Sequence, residues 1–142
     1  MAEAQPINMH ATTVAYEGRG VLITGASGSG KSALGLMLMA MGCRLVADDR
    51  TLISREGEQV IARCPAPLCG MIEARGVGIL ASEALTQAAL ALVVDLDRTE
   101  QERLPPARFV TLLEHQLPLL HNVATGHFAA AVLQYLKAGR RS

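Results

Sequence analysis

The sequence has no excess of basic residues, no tryptophan and few aromatic residues, and each shortage narrows the classes of protein that it can encode. Its 142 residues contain 13 Lys and Arg and 13 Asp and Glu, so the formal net charge is zero. Non-specific binding to nucleic acid or to a membrane surface depends on a basic excess, so we expect neither. Aromatic residues make up only 3% of the chain, and the core must therefore consist of Leu, Val, Ile, Ala and Met.

Cysteine and targeting signals are also scarce. The three cysteines, Cys43, Cys64 and Cys69, are an odd number without a CxxC spacing. They match neither a disulfide framework nor a zinc motif, so we expect inert thiols in a reducing, cytoplasmic environment. Residues 1–6 lack the basic and apolar regions of a secretory signal, and the apolar run at 33–41 is about half the length of a membrane span.

The chain does contain enough apolar residues for one folded domain. Half of the residues are hydrophobic, and a length of 142 residues suits a single core. We therefore expect residues 1–142 to form one domain, in which residues 1–8 are a loose end.

Apolar periodicity predicts both strands and helices. Continuous apolar runs predict buried strands at 20–24 and 90–97, and residues 32–41 predict a helix that is buried because it lacks a polar face. Runs at 51–54 and 59–63 flank a turn, which predicts a hairpin and hence antiparallel strands beside the parallel ones. The other predicted elements are strands at 9–16, 44–47, 109–113 and 117–120 and helices at 80–89 and 125–137, the last capped by Thr125.

A glycine-rich stretch between a predicted strand and a predicted helix carries the strongest functional signal. It matches G-x-x-x-x-G-K-[ST], and we call it the phosphate loop. Its glycines permit positive φ angles, so that successive N–H groups converge on phosphate oxygens at a helix amino terminus. Its lysine reaches the β- and γ-phosphates, and its last serine offers a hydroxyl to Mg²⁺. The residues are Gly25, Ala26, Ser27, Gly28, Ser29, Gly30, Lys31 and Ser32.

A nucleotide site with Mg²⁺ needs an acidic side chain near the phosphate loop, and two strand ends offer one. Asp48-Asp49 follows the strand at 44–47, and Asp95 and Asp97 end the strand at 90–97. Strand ends place side chains at the mouth of an α/β sheet, where ligands bind. Periodicity does not choose between the two pairs, and one carboxylate of a close pair is a candidate base.

The remaining polar residues give weaker signals. His10 on a strand is more often structural than functional, and Glu73 with Arg75 is typical of a surface ion pair. His115, His121 and His127 recur at six-residue intervals. That spacing fits neither one helix face nor a known metal motif, so we do not predict them as ligands.

Four segments, in this order, resemble the catalytic domain of HPr kinase/phosphorylase. They are Met9-His10, residues 20–32, residues 42–50 with Asp48-Asp49-Arg50, and residues 72–80 with Glu73-Ala74-Arg75-Gly76-Val77-Gly78-Ile79. The phosphate loop is shared by many families, but the last two segments together are far more specific. The resemblance implies a P-loop α/β domain with a mixed sheet, related to phosphoenolpyruvate carboxykinase. It also implies a compact form without the amino-terminal domain of longer members.

The resemblance also implies an activity. Members of the family use ATP and Mg²⁺ to phosphorylate a serine of HPr, the phosphocarrier protein of the sugar phosphotransferase system. Many also remove that phosphate with inorganic phosphate and release pyrophosphate. We therefore expect a cytoplasmic HPr serine kinase that regulates carbohydrate metabolism and forms a homo-oligomer, a hexamer in the family. Residues 117–122 depart from the family's late basic loop, which leaves the phosphorylase activity open.

Roles for individual residues follow from the same resemblance. Lys31 and the loop amides would hold the phosphates, and Ser32 with Glu73 would hold Mg²⁺. Asp49 would accept the serine proton, with Asp48 beside it. The remaining predicted catalytic residues are His10, which would orient the acids, Arg75, which would meet phosphate, and Arg103, which would serve phosphate removal.

Two other functions remain open from the residues. One is a P-loop kinase or NTPase for a different class of substrate, in which only the phosphate loop would be meaningful. The other is a regulatory module that binds a nucleotide and a partner without phosphoryl transfer, although a pure binding module does not need a base such as Asp49.

Overall fold

The computed structural model describes residues 5–142, which form eleven strands and two helices in an α/β arrangement. In chain order the elements are β1 (Ile7–Met9), β2 (Ala11–Tyr16), β3 (Arg19–Thr24), α1 (Lys31–Ala40), β4 (Arg44–Ala47), β5 (Thr51–Glu56), β6 (Gln59–Arg63), β7 (Met71–Ala74), β8 (Gly78–Ala81), β9 (Gln87–Thr99), β10 (Arg108–Leu112), β11 (His115–Asn122) and α2 (Phe128–Ala138). The predicted fold class, α/β with a mixed sheet, is confirmed.

Strand β9 is the centre of a nine-stranded sheet. It pairs in parallel with β3 along one edge, and along the other edge it pairs antiparallel with β6 and then in parallel with β11. The other pairs in this sheet are antiparallel, while β7 and β8 form a separate two-stranded sheet. In the register of β3 and β9, Thr24 lies opposite Asp95, so the phosphate loop begins beside the carboxyl end of β9.

The apolar run of β3 is buried on both faces of the sheet. Val21 and Ile23 belong to a core cluster that includes residues of both helices, and Leu22 belongs to the cluster on the opposite face. This division follows from the alternation of side chains along a strand. Ile72 of β7 joins the first cluster, so the small sheet packs against the same face as α1.

Helix α1 buries one stripe and exposes the other. Leu34, Gly35 and Leu38 are buried, at the spacing of a single helix face. Met37 is 50% exposed, so the predicted burial of the whole helix is wrong. A Cβ at Gly35 would lie 2.9 Å from the Thr12 Cγ2 atom, which means that the missing side chain lets α1 approach β2 closely. Neither helix in the described part of the chain is long and apolar enough to cross a membrane.

Several predicted strands are confirmed, but the predicted helix at 80–89 is wrong. The strands at 20–24, 44–47 and 90–97, the hairpin of β5 and β6, and the two late strands are all present. Residues 80–81 lie in β8, and residues 87–89 begin β9. Pairing of 87–89 with β6 buries Ala88, and this tertiary contact overrides the helix propensity of an alanine-rich segment.

Both ends of the chain also differ from their predictions. Ile7 and Asn8 are not loose, because they lie in β1 and pair with β5; residues 1–4 of that prediction lie outside the described residues. The final helix begins at Phe128 with His127 as its cap residue. The Thr125 hydroxyl instead contacts the His127 ring at 2.9 Å, so the predicted cap is wrong.

The cysteines do not all remain free. Cys64 and Cys69 form a disulfide in the loop between β6 and β7, which corrects the prediction of three inert thiols. Their spacing belongs to no recognised motif, so only the turn of this loop brings them together. Cys43 is free and buried, and burial raises the pKa of its thiol above the ordinary value.

Candidate active site

The phosphate loop connects β3 to α1 through three glycines with positive φ angles. Gly25, Gly28 and Gly30 have φ values of 150°, 83° and 102°, as the sequence predicts. A side chain at such positions would be strained. The loop therefore turns sharply into the amino terminus of α1, where free N–H groups and the helix dipole favour an anion.

Lys31 is buried inside this loop, with only 6% of its surface exposed. Its Nζ atom donates hydrogen bonds to the carbonyl oxygens of Gly25 at 2.9 Å and Ala26 at 3.0 Å. These two bonds offset the cost of burying an ammonium group. Because an ammonium has three donors, one N–H remains to reach a phosphate oxygen.

The carboxylate of Asp48 joins three separate segments of the chain. Its Oδ1 atom accepts hydrogen bonds from the Ser32 hydroxyl at 2.6 Å and the Thr12 hydroxyl at 2.8 Å. Its Oδ2 atom accepts a hydrogen bond from the backbone N–H of Glu73 at 3.0 Å. Asp48 therefore links the first turn of α1, strand β2 and strand β7 at one point.

Asp49 has a different environment, although it is the next residue. Its side chain is 62% exposed, and its Oδ1 atom lies 2.7 Å from Nε2 of His10. Its φ angle of 67° lies in the left-handed region, which costs on the order of 1 kcal/mol for a residue other than glycine. The Ala11 N–H donates to its carbonyl oxygen at 3.0 Å, which helps to hold this conformation.

The adjacent acids are thus held for different tasks. Asp48 has its oxygens bonded within the protein, next to the hydroxyl that the sequence predicts as a metal ligand. Asp49 presents its carboxylate to solvent, with one histidine contact. Such an exposed carboxylate can accept a proton from a hydroxyl group brought to it.

Three other predicted residues lie apart from these contacts. The Glu73 side chain is exposed, and only its backbone reaches Asp48. Arg75 is exposed in the turn between β7 and β8, and Arg103 is exposed in the loop after β9. Arg103 lines a cavity of about 400 Å³ together with Glu100. Within residues 5–142, neither arginine side chain makes a hydrogen bond or an ion pair with the other predicted site residues.

Thr12 belongs to this site although no sequence motif marks it, and Asp97 takes a role that the sequence leaves open. Thr12 lies two residues after His10, and residues two apart on an extended chain share a face, so this spacing was a usable signal. The carboxylate of Asp97 accepts a hydrogen bond from the Ala26 N–H at 2.9 Å. Asp97 therefore contacts the start of the phosphate loop, whereas Asp48 contacts Ser32 at its end.

The residues at this site fit a nucleotide with Mg²⁺. The buried hydroxyl of Ser29 has no hydrogen-bond partner in the described part of the chain, so the loop retains an unused polar group. Ser32 and Asp48 supply hard oxygen atoms, which Mg²⁺ prefers. In residues 5–142, no three or more His, Cys, Asp or Glu side chains are arranged so that together they could hold a metal ion, and Mg²⁺ in phosphate sites usually takes only one or two protein carboxylates.

Comparisons with known proteins show the family to which this chain belongs. The family model described as HPr Serine kinase C-terminal domain matches residues 2–113. The HPr kinase/phosphorylase of Aromatoleum aromaticum is 37% identical over 92% of this chain, and that of Cupriavidus metallidurans is 42% identical over 72%. The chain belongs to the HPr serine kinase C-terminal domain family.

A solved structure and the lengths of the relatives complete the comparison. The Hpr(Ser) kinase/phosphatase from Coxiella burnetii matches with a TM-score of 0.74 and 26% identity, over 92% of this chain and 88% of that one. The chain spans 47% of the Aromatoleum relative and 35% of the Cupriavidus relative, less than half of each. The family and the fold are therefore established for the part that this chain represents.

Proposed function

We propose that this chain is an ATP-dependent serine kinase domain that phosphorylates HPr. The observation that carries the proposal is the division of labour between Asp48 and Asp49. One acid is bonded to Ser32 of the phosphate loop, and the other is exposed beside His10. A phosphoryl-transfer site needs an acidic side chain near the metal ion and an accessible base that can accept a proton. A module that only binds nucleotide needs no base.

The phosphates of ATP would be held by Lys31 and by the loop amides. Ser32 and Asp48 would hold Mg²⁺, with Glu73 contributing directly or through water. When bound, Mg²⁺ neutralises the negative charge of the transferring phosphoryl group. The predicted metal set therefore gains Asp48, because its oxygen already lies 2.6 Å from the Ser32 hydroxyl.

The residues of the chain would act mainly by positioning and charge. Lys31 donates hydrogen bonds to two carbonyl oxygens, and its remaining N–H would stabilise the negative charge that develops on the transferring phosphoryl group. Asp49 would accept the proton of the attacking serine hydroxyl, and His10 would hold the carboxylate in place. The left-handed backbone at Asp49 supports this role, because strained backbone is often retained at functional sites.

The remaining expectations stay predictions. These are a role for Arg75 at phosphate, a role for Arg103 in phosphorolysis, a cytoplasmic location, a hexameric assembly and a single domain over residues 1–142. Phosphorolysis is testable by incubating serine-phosphorylated HPr with inorganic phosphate and measuring the pyrophosphate released.

The proposed kinase activity is tested by mixing the purified chain with Mg-ATP and HPr from the same organism. Intact-mass analysis should find one added phosphoryl group on HPr, and peptide fragmentation should place it on a serine. HPr with that serine replaced by alanine is the matched control and should remain unmodified. ATP binding without any transfer to HPr would contradict the proposal and favour a regulatory module.

A further inference from the structure

The carboxyl end of β9 contacts the first turn of the phosphate loop at two consecutive residues, Gly25 and Ala26. Asp97 accepts a hydrogen bond from the N–H of Ala26 at 2.9 Å. Leu96 packs beside Gly25, where an added Cβ would lie only 3.2 Å from the Leu96 Cβ. Strand β9 therefore fixes the start of the loop from the neighbouring strand, independently of α1.

Both backbone polar groups of Ala26 are used in this arrangement. Its N–H donates to Asp97, and its carbonyl oxygen accepts a hydrogen bond from Lys31 Nζ at 3.0 Å. That N–H belongs to the peptide group that joins Gly25 to Ala26, and the carbonyl oxygen of this group, that of Gly25, also accepts a hydrogen bond from Lys31 Nζ at 2.9 Å. The Gly25–Ala26 peptide group therefore lies between a carboxylate and an ammonium. Displacement of Ala26 would move one of the two carbonyl oxygens that hold Lys31 in place.

Asp97 is itself held by its neighbour. Its backbone N–H donates to the Oδ1 atom of Asp95 at 2.9 Å, and Asp95 also lies 3.8 Å from the guanidinium of Arg98. These contacts lie in the last residues of β9, which ends at Thr99, and help to hold Asp97 beside the loop. The contact with Ala26 therefore comes from an ordered strand end, and it joins residues 71 positions apart in the sequence.

We propose that Asp97 is a positioning residue for nucleotide binding, which sets the first turn of the phosphate loop and, through the Gly25–Ala26 peptide group, aims Lys31 at the phosphates. This inference rests on the proposed function, because it assumes that the loop binds ATP. The competing effect is repulsion, since a carboxylate near the phosphates would weaken ATP binding by its charge. The two effects predict opposite results when the carboxylate is removed.

The test measures the dissociation constant of Mg-ATP by calorimetry for the wild type and three variants. Asp97→Ala should weaken ATP binding roughly tenfold, the equivalent of one charge-assisted hydrogen bond. Asp97→Asn keeps an oxygen acceptor for the Ala26 N–H and should restore most of the affinity. Glu83→Ala removes a charge from an exposed carboxylate without a hydrogen bond in the described residues, and it should bind ATP like the wild type.

Two further measurements separate positioning from general damage to the fold. The unfolding temperature of Asp97→Ala without nucleotide should stay close to that of the wild type, because the contact is exposed. In steady-state kinetics, the KM for ATP should rise while the KM for HPr stays unchanged.

Each result decides between the two effects. Equal or tighter ATP binding by Asp97→Ala would overturn the inference, as would equal losses in Asp97→Ala and Asp97→Asn. A wild-type protein that binds no ATP would overturn the proposed function and this inference together. ATP binding by the wild type with no loss in Asp97→Ala would overturn the inference alone.

Discussion

Replacement of Asp48 by alanine should destabilise the fold as well as the site. The carboxylate accepts hydrogen bonds from Ser32 at 2.6 Å, from Thr12 at 2.8 Å and from the Glu73 N–H at 3.0 Å. At about 1 kcal/mol net for each bond, Asp48→Ala should lower the free energy of unfolding by about 3 kcal/mol. For a domain of this size, that loss corresponds to a fall of roughly 10 °C in Tm.

Two matched variants sharpen this prediction. Asp48→Asn keeps the shape and one acceptor oxygen, but its amide cannot serve the two hydroxyl groups and the Glu73 N–H equally well. We expect it to lose about 1–2 kcal/mol, between the wild type and Asp48→Ala. Asp49→Asn removes the neighbouring carboxylate, whose contact with His10 is exposed, and it should cost less than about 1 kcal/mol.

The assay is urea unfolding followed by circular dichroism in the absence of nucleotide and metal. The unfolding free energies should fall in the order Asp49→Asn, Asp48→Asn, Asp48→Ala, with unchanged dependence on urea concentration. Equal free energies of unfolding for Asp48→Ala and Asp49→Asn would refute the reasoning. The three hydrogen bonds of Asp48 would then contribute no more to stability than the exposed contact of Asp49.

Two other predictions concern regions outside the active site. Arg108 donates two hydrogen bonds to Glu100, each of 2.9 Å, and these bonds lower the pKa of Glu100 from 4.5 to about 2. A carboxyl group whose pKa is lowered by folding stabilises the folded state at pH values above its ordinary pKa. This stabilisation is lost as the pH falls from 4.5 towards 2. Unfolding titrations should therefore show weaker pH dependence in that window for Glu100→Gln, and an unchanged dependence would contradict the ion pair's role. Thiol titration of the unreduced, denatured protein should find only Cys43 free, and reduction of the Cys64–Cys69 disulfide should release two more thiols. Three free thiols before reduction would contradict this prediction, and in the folded protein burial and the raised pKa should make Cys43 react slowly.

The parts of the fold that are determined by residues close together in the sequence were predictable from the sequence. The phosphate loop has glycines at the positions that need positive φ, between an apolar strand and a helix that ends before Gly42. The hairpin of β5 and β6 is likewise encoded by two apolar runs and a turn. These signals lie within a few residues of the structure that they specify.

The difference between the two adjacent acids could not be predicted in this way. Asp48 is distinguished by Thr12 and by the Glu73 N–H, which lie 36 and 25 positions away in the sequence. The contact between Asp97 and Ala26 spans 71 positions. The hydrophobic periodicity of the sequence does not predict such contacts, because they form only when distant segments come together in the sheet.

Two local patterns were also overridden or incomplete. The alanine-rich segment at 80–89 has helix propensity, but strand pairing with β6 and β7 determines its conformation. Gly76 and Gly78 interrupt an apolar segment, and the sequence pattern alone does not specify the conformation that they adopt. Gly76, with a φ angle of 85°, lies in the turn between β7 and β8, and Gly78, with a φ angle of 141°, begins β8.

The most direct test of the central claim is the rate of phosphoryl transfer to HPr by Asp49→Asn, measured together with its affinity for ATP. If Asp49 is the base of an HPr serine kinase, the wild type will phosphorylate HPr. The variant will then bind Mg-ATP with nearly unchanged affinity and transfer phosphate at least about 10²-fold more slowly. Transfer at a rate near that of the wild type would contradict the assignment of Asp49, and no transfer by a wild type that binds ATP would contradict the kinase itself.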